Sequence, residues 1–240
     1  FPLYVLIGAA FARLPLGNVA LRLNGMSAFF AALAAVAVYA IVRSTLASPG
    51  PPPAPSPPRL ERKGRAHRAK AVTRQDVPQP ESRTSSQASF LPATVAGLAF
   101  SFSYTLWKWA VVAEVYALNI FIIGVLLILL VAWGNRSERR HKACGYMLYT
   151  AAFLYGLGLG NHHVTILLLA PAIIYWLACY RRLHASIWIV LLCLVLGMCV
   201  YLYLPYRAAQ EPLLNWGNPR TLERFWWHVT GKQYRVYLAS

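Results

Sequence analysis

Residues 112–133 read VAEVYALNIFIIGVLLILLVAW, and Glu114 is the only charged side chain in the run. A helix needs about 20 consecutive apolar residues to cross a bilayer core. This stretch is long enough, and its one carboxylate stands near its start. The rest of the composition agrees. Of 240 residues, 58% are hydrophobic and only 12% are charged, with eight Trp and fourteen Tyr. Soluble domains carry about a quarter charged residues. A cytosolic enzyme, a disordered protein and a disulfide scaffold are all excluded as descriptions of the whole chain.

Further apolar runs flank the first: Asn24–Val42, Leu91–Leu106, Gly145–Gly160, Val164–Tyr180 and Ile187–Leu204. The expectation is an all-α polytopic membrane protein with about six spanning helices. Residues 1–43 hold an outer juxtamembrane helix, Phe1–Leu16, and the first span. Phe1–Leu16 is interrupted by Pro2, Arg13 and Pro15 and is too short to cross. Residues 44–90 form a Pro-rich basic loop, with seven prolines between Pro49 and Pro58. That composition cannot bury a core and is expected to be disordered. Residues 91–204 carry five spans, and residues 205–240 form an aromatic and basic outer segment.

The formal net charge is +16. In a soluble protein such a balance points to nucleic acid. Here Lys and Arg fall between apolar runs, so no nucleic-acid partner is expected and the charge is read as topology. Fifteen of the 23 basic residues follow Val42, Trp133 and Tyr180. Those connections are expected in the cytoplasm. The opposite side then holds Phe1–Leu23, Trp107–Glu114 with Gly158–His163, and Pro205–Ser240. The four cysteines, Cys144, Cys179, Cys193 and Cys199, form no CxxC pair. They read as small buried hydrophobes rather than zinc ligands or disulfides.

Of the seven acidic residues, only Glu114 adjoins a spanning run, in Trp107-Lys108-Trp109-Ala-Val-Val-Ala-Glu114-Val-Tyr116. An ionisable group at that depth faces a polar cavity or a partner. The structural alternative is a snorkelling Glu favoured by the helix dipole. In Gly156-Leu-Gly158-Leu-Gly160-Asn161-His162-His163, alternating glycines permit close helix approach. Asn161, His162 and His163 then cluster at an outer helix end. Adjacent histidines do not share one helix face, so no metal is read here. Hydrogen bonding to a phosphate or sugar suits them better, and the structural alternative is a polar contact between helices. In the tail, Arg207 closely follows the last span. Asn215-Trp216-Gly217-Asn218-Pro219-Arg220 and Phe225-Trp226-Trp227-His228 follow it. Rings at a membrane interface and Arg on phosphate oxygens suit a lipid headgroup, or an aromatic belt with cationic snorkels.

These residues resemble a known family. Phe1-Pro-Leu-Tyr4 resembles the end of a His-Pro-Pro-Gly-Tyr-Pro-Leu-Tyr motif. Ala113-Glu114-Val-Tyr116-Ala-Leu-Asn119, Gly158-Leu-Gly160-Asn161-His162-His163 and Asn215-Trp216-Gly217-Asn218-Pro219 complete the resemblance. The family is one of multi-spanning membrane proteins formerly of unknown function. It includes bacterial members and a vertebrate endoplasmic-reticulum protein O-mannosyltransferase of plexin-type domains. The resemblance spans the chain except the proline-rich loop.

It implies a GT-C type glycosyltransferase in a transmembrane helix bundle. Such enzymes move a sugar, here mannose, from a polyprenyl- or dolichyl-phosphate carrier to a Ser or Thr hydroxyl of an acceptor protein, on the outer or lumenal side. The lipid-phosphate sugar is a substrate, and no cofactor is firmly implied. Some GT-C relatives use a divalent metal, but Asp76 in a cytoplasmic loop gives no support for one. The first Met is Met26, so the chain is expected to be a piece of a longer protein with the main base upstream of Phe1. Glu114 is then a second catalytic carboxylate. Lys108, Asn161, His162, His163 and Arg207 are phosphate or sugar contacts. Trp107, Trp109 and Trp216 stack on sugar or line a prenyl groove. The membrane expected is a bacterial plasma membrane, or the endoplasmic reticulum for a eukaryotic chain. Two other classes fit the composition. A lipid-linked-sugar transporter or flippase would use the same contacts without a base. A non-catalytic scaffold would use the proline-rich run as a polyproline ligand.

Overall fold

A computed structural model describes residues 1–47, 82–136, 141–179, 186–213, 215 and 217–232, and all its regular elements are helices. The proline-rich run and most of the basic loop, Trp216 and residues 233–240 lie outside the described residues.

Helix α1 (Pro2–Phe11) opens with proline in its first turn, where the missing N–H has no intrahelical partner to lose. Helix α2 (Val19–Leu46) begins at Asn18, whose side chain accepts from Leu21 N at 2.8 Å. The two are pinned by Arg22. Its guanidinium donates to the carbonyls of Ala12, Leu16 and Gly17 at 2.5, 2.6 and 2.8 Å. Gly17 takes a positive φ of 47° in that turn.

Helix α3 (Ser82–Ser101) starts inside the stretch read as loop, and it is followed by the short α4 (Tyr104–Ala110). The run Leu91–Leu106, expected as one span, is therefore bent by 58° at Phe102–Ser103. Ser103 restarts the helix by accepting from Leu106 N. Helix α5 (Val115–Arg136) covers most of the apolar run Val112–Trp133. Helices α6 (His141–Leu168) and α7 (Ala170–Cys179) follow. Helix α8 (Ile187–Met198) runs through a 3-10 turn (Cys199–Leu202) into α9 (Tyr203–Ala209), so the last apolar run continues past Leu204 to Ala209. Arg207 thus stands on the last turn of that run rather than after it. Helix α10 (Leu222–Val229) closes the described chain, capped by Thr221.

Three helices are long and apolar enough to cross a membrane: Val19–Leu46, Val115–Gly134 and Ile187–Ala209. Counting each bent pair as one span gives up to five among the described residues. The sequence divides the same runs into six, because it separates Gly145–Gly160 from Val164–Tyr180.

The structure places the break between those two runs at His162. Its φ of −150° and ψ of 86° are extended, and they interrupt α6. Residues eleven apart on an unbroken helix are separated by about 16 Å. Yet the Tyr155 hydroxyl donates to the Ile166 carbonyl at 3.0 Å. The Ile166 side chain is also the nearest neighbour of Gly158. The chain therefore folds back on itself at His162.

In packing order, α3 lies on α2, α2 on α5, α5 on α6 and α6 on α8. The main core joins Met26, Phe30, Leu118, Ile122, Leu126 and Ile166. A second cluster holds Leu130, Trp133 and Leu148. Helices α6 and α8 meet backbone to backbone. A Cβ on Gly156 would collide with Leu194 O, and one on Gly197 with Phe153 O. Small residues let helices approach this closely in lipid, where van der Waals contact drives association. The outward face of α8 is apolar, with Trp188, Leu192 and Val195 exposed. Such a continuous apolar surface is a contact surface for hydrocarbon. Cys199 is exposed there, and Cys193 is partly so, which corrects the buried reading for these two, while the side chains of Cys144 and Cys179 lie outside the description.

Candidate functional site

Two motifs singled out by sequence interlock across α5 and α6. The Asn161 amide donates to Val115 O at 3.1 Å. The Asn119 amide donates to Thr165 Oγ1 at 2.8 Å, and His162 Nδ1 lies 3.1 Å from that same oxygen. Asn161 is fully buried. Its amide ties the fold-back to the first residue of α5, directly after Glu114. These two donated bonds join α5 to the fold-back of α6. The side-chain oxygens of Asn119 and Asn161 have no protein partner.

A row of rings starts from this junction. The Lys108 ammonium lies 4.9 Å from the Trp109 ring, and Trp109 lies 4.1 Å from Tyr116. Tyr116 is 5.6 Å from His162, and His162 stacks on Phe1 at 5.7 Å with only 3° between planes. Glu114 stands exposed between α4 and the start of α5. Across from it, burial and then the Glu114 charge hold the Tyr4 phenol above its ordinary value. Trp107 is exposed beside this row, 54% accessible and without a ring partner among the described contacts.

Phe1 also borders a cavity of about 720 Å³ on its other side. Its floor comes from Leu159 and Gly160 of α6 and from Tyr201, Tyr203 and Leu204. Its polar lining is His163, Arg207, Asn215 and His228. No Asp or Glu is among the described residues that line it. The Tyr201 hydroxyl donates to Leu159 O at 2.6 Å and joins the two halves of the floor. Arg207 is exposed, and its guanidinium donates to Gln210 Oε1 at 2.7 Å. Burial holds the His228 imidazole below its ordinary value, and its Nδ1 is buried without a partner.

The motif around Asn215 builds the cavity's far wall. Arg220 donates to the carbonyls of Ala208 and Ala209, both at 3.0 Å, and pairs with Glu211 at 3.0 Å. It thereby satisfies the Ala209 carbonyl at the end of α9 and adds to the bond that the Ala208 carbonyl accepts from Glu211 N at 3.3 Å. Asn218, at φ 38°, and Gly217, at φ 70°, make the turn. Asn215 reaches Asn218 Oδ1 at 3.2 Å.

The sequence-predicted residues therefore divide into two groups. His163 and Arg207 share the cavity. Lys108, Trp109 and His162 share the ring row, which Phe1 connects to it, with Trp107 exposed near the row's start. Glu114 lines neither cavity nor row. Asn161, expected to touch sugar or phosphate, is enclosed by protein and binds the backbone instead. Trp216 lies outside the described residues. Tyr201 and His228 were not singled out as site residues by the sequence. Both sit among aromatic residues that also fit an interfacial belt, and only tertiary packing separates the two roles. No group of three or more His, Cys, Asp or Glu side chains able to hold a metal occurs among the described residues.

Comparison with known proteins adds a relationship. The family model for the protein O-mannosyl-transferase TMEM260 N-terminal domain matches residues 1–186. The chain is 30% identical over 143 residues to the protein O-mannosyl-transferase TMEM260 of Mus musculus. That alignment covers 58% of this chain and 20% of the relative, so the chain matches about a fifth of its length. No solved structure matches.

Proposed function

Because the chain belongs to the family of the protein O-mannosyl-transferase TMEM260 N-terminal domain, we propose that it forms part of a membrane glycosyltransferase of GT-C type. In this reading it moves mannose from a polyprenyl- or dolichyl-phosphate carrier to a Ser or Thr hydroxyl of an acceptor protein. The observation that carries the reading is the cavity. A cation, two imidazoles and an amide meet apolar walls there, with no carboxylate among the described lining residues. That chemistry suits an amphiphilic anion such as a lipid phosphate.

Transfer displaces the lipid phosphate from the anomeric carbon as the acceptor oxygen bonds to it. Arg207 can form charge-assisted hydrogen bonds with the phosphate as negative charge builds on it. His163 and Asn215 add donors beside it. The acceptor proton must leave to a base, because a hydroxyl is a weak nucleophile. Glu114 serves as a second carboxylate that orients acceptor or sugar from its exposed position between α4 and α5, and the ring row offers a surface on which a sugar can stack. Asn161 holds the backbone next to Glu114 and is a positioning residue.

The test is transfer from polyprenyl-phosphate mannose to a Ser/Thr peptide, using the full-length protein in vesicles. Arg207→Ala is expected to lower kcat/KM by about tenfold or more, the value of one charge-assisted bond. Glu114→Gln is expected to lower kcat. Unchanged transfer by Arg207→Ala would remove the cavity from the mechanism. Lipid movement across the vesicle without any transfer would replace the enzyme by a transporter.

A further inference from the structure

Helix α10 differs in kind from the other described helices. Leu222, Phe225, Trp226 and Val229 recur at the spacing of one helix face, whereas Glu223 and Arg224 lie off it. That face is only half covered. Phe225 and Val229 turn toward the protein, and Val229 lines the cavity. Leu222 and Trp226 remain 74% and 55% exposed. Trp227 is partly exposed and carries the Lys232 ammonium 4.1 Å from its ring.

The height of this helix is set by the chain just before it. Arg220 is bonded to the carbonyls of Ala208 and Ala209, the last residues of the apolar run that begins at Ile187. Thr221 follows at once and caps α10, accepting from Arg224 N at 3.3 Å. The start of α10 is therefore held where a spanning helix ends. At that level, lipid headgroups give way to acyl chains. Exposed Trp and Leu on one side, with charged residues on the other, match that boundary.

We infer that α10 is a membrane-interface helix, with Leu222 and Trp226 inserted at the boundary between headgroups and acyl chains of the bilayer that the chain crosses. Its inner face forms one wall of the Arg207 cavity, so the bilayer itself holds that wall in place. The inference concerns how α10 is seated and does not require the transferase reading.

The experiment uses the whole chain, with its four cysteines replaced by serine, in phosphatidylcholine and phosphatidylglycerol vesicles. A nitroxide is attached in turn at Trp226→Cys and Arg224→Cys, and its relaxation by oxygen and by a water-soluble nickel chelate is measured. The expected result is that the label at 226 favours oxygen, at a depth of about 5–10 Å below the phosphates, while the label at 224 favours nickel. Equal access of nickel to both positions would overturn the inference, including the case in which a protein partner covers this face in the cell. If the cysteine-free chain does not fold, Trp226→Phe is compared with the unaltered chain in vesicles of lipid brominated near the carbonyl end. A smaller fraction of quenched tryptophan emission in Trp226→Phe supports the inference, and an unchanged fraction overturns it.

Discussion

Single side chains decide how the site is held. Asn161 stands beside two histidines at a helix end, where the sequence alone favours a ligand contact. Composition and spacing cannot distinguish an amide that faces a cavity from one that faces a neighbouring backbone. The structure shows the second. Asn161→Ala removes the bond that ties the fold-back to the start of α5, at a cost of about 0.5–1.5 kcal/mol, while Val115 O keeps its helical partner. A lower Tm of the purified chain in detergent checks this, and Asn161→Asp, which keeps the size but not the donor, should fall with it. His228 supplies a pH dependence. Burial lowers its folded value, so the folded state binds fewer protons than the unfolded one as pH falls. Its contribution is complete above the ordinary value of about 6.5 and is lost as pH drops through the lowered one. Protonation would also place a second cation in the cavity with Arg207, beside His163. Amide exchange in α10 should therefore quicken on acidification from about pH 7.5 to about pH 5. His228→Gln should flatten that response, and an unaltered pH response in that variant would assign the effect elsewhere.

At the scale of elements, hydropathy made most of the helices legible. Long apolar runs have one structural solution in lipid, since every backbone group must bond internally. Bends were not legible. Nothing in the apolar pattern of Leu91–Leu106 marks the 58° break at Ser103, because a capping serine inside such a run looks like any small residue. The turn near His162 was legible in outline, through the polar cluster between two runs. The glycines of Gly156-Leu-Gly158-Leu-Gly160 announced a close approach without naming the partner, which is Gly197 of α8 for Gly156. Gly156→Leu should force α6 and α8 apart. Overpacking of a well-fitted contact costs about 1–3 kcal/mol, and here the obstacle is backbone that cannot rotate away. A drop in Tm, absent for the exposed position Ala10→Leu, would check it.

For the whole molecule, the basic residues predict orientation. Fifteen of 23 follow Val42, Trp133 and Tyr180, and the same rule puts Arg207, Arg220 and Arg224 on the side expected to face away from the cytoplasm. An impermeant thiol reagent applied to intact cells should label a cysteine at Glu211 and not one at Ala47, tested in the chain freed of its own cysteines. The reverse pattern would invert the topology and place the cavity in the cytoplasm. The meeting of Gly156 with Gly197 has a mechanical consequence. Two backbones in direct contact have no flexible side chains between them to absorb sliding, so α6 and α8 behave as a single stiff strut. The floor of the cavity, drawn from α6 and from the 3-10 turn and α9 that continue α8, keeps its shape whatever occupies it. Any opening or closing around a bulky amphiphile then falls to α1, whose Pro2 and Val5 border the cavity, rather than to the strut or to the bilayer-seated α10.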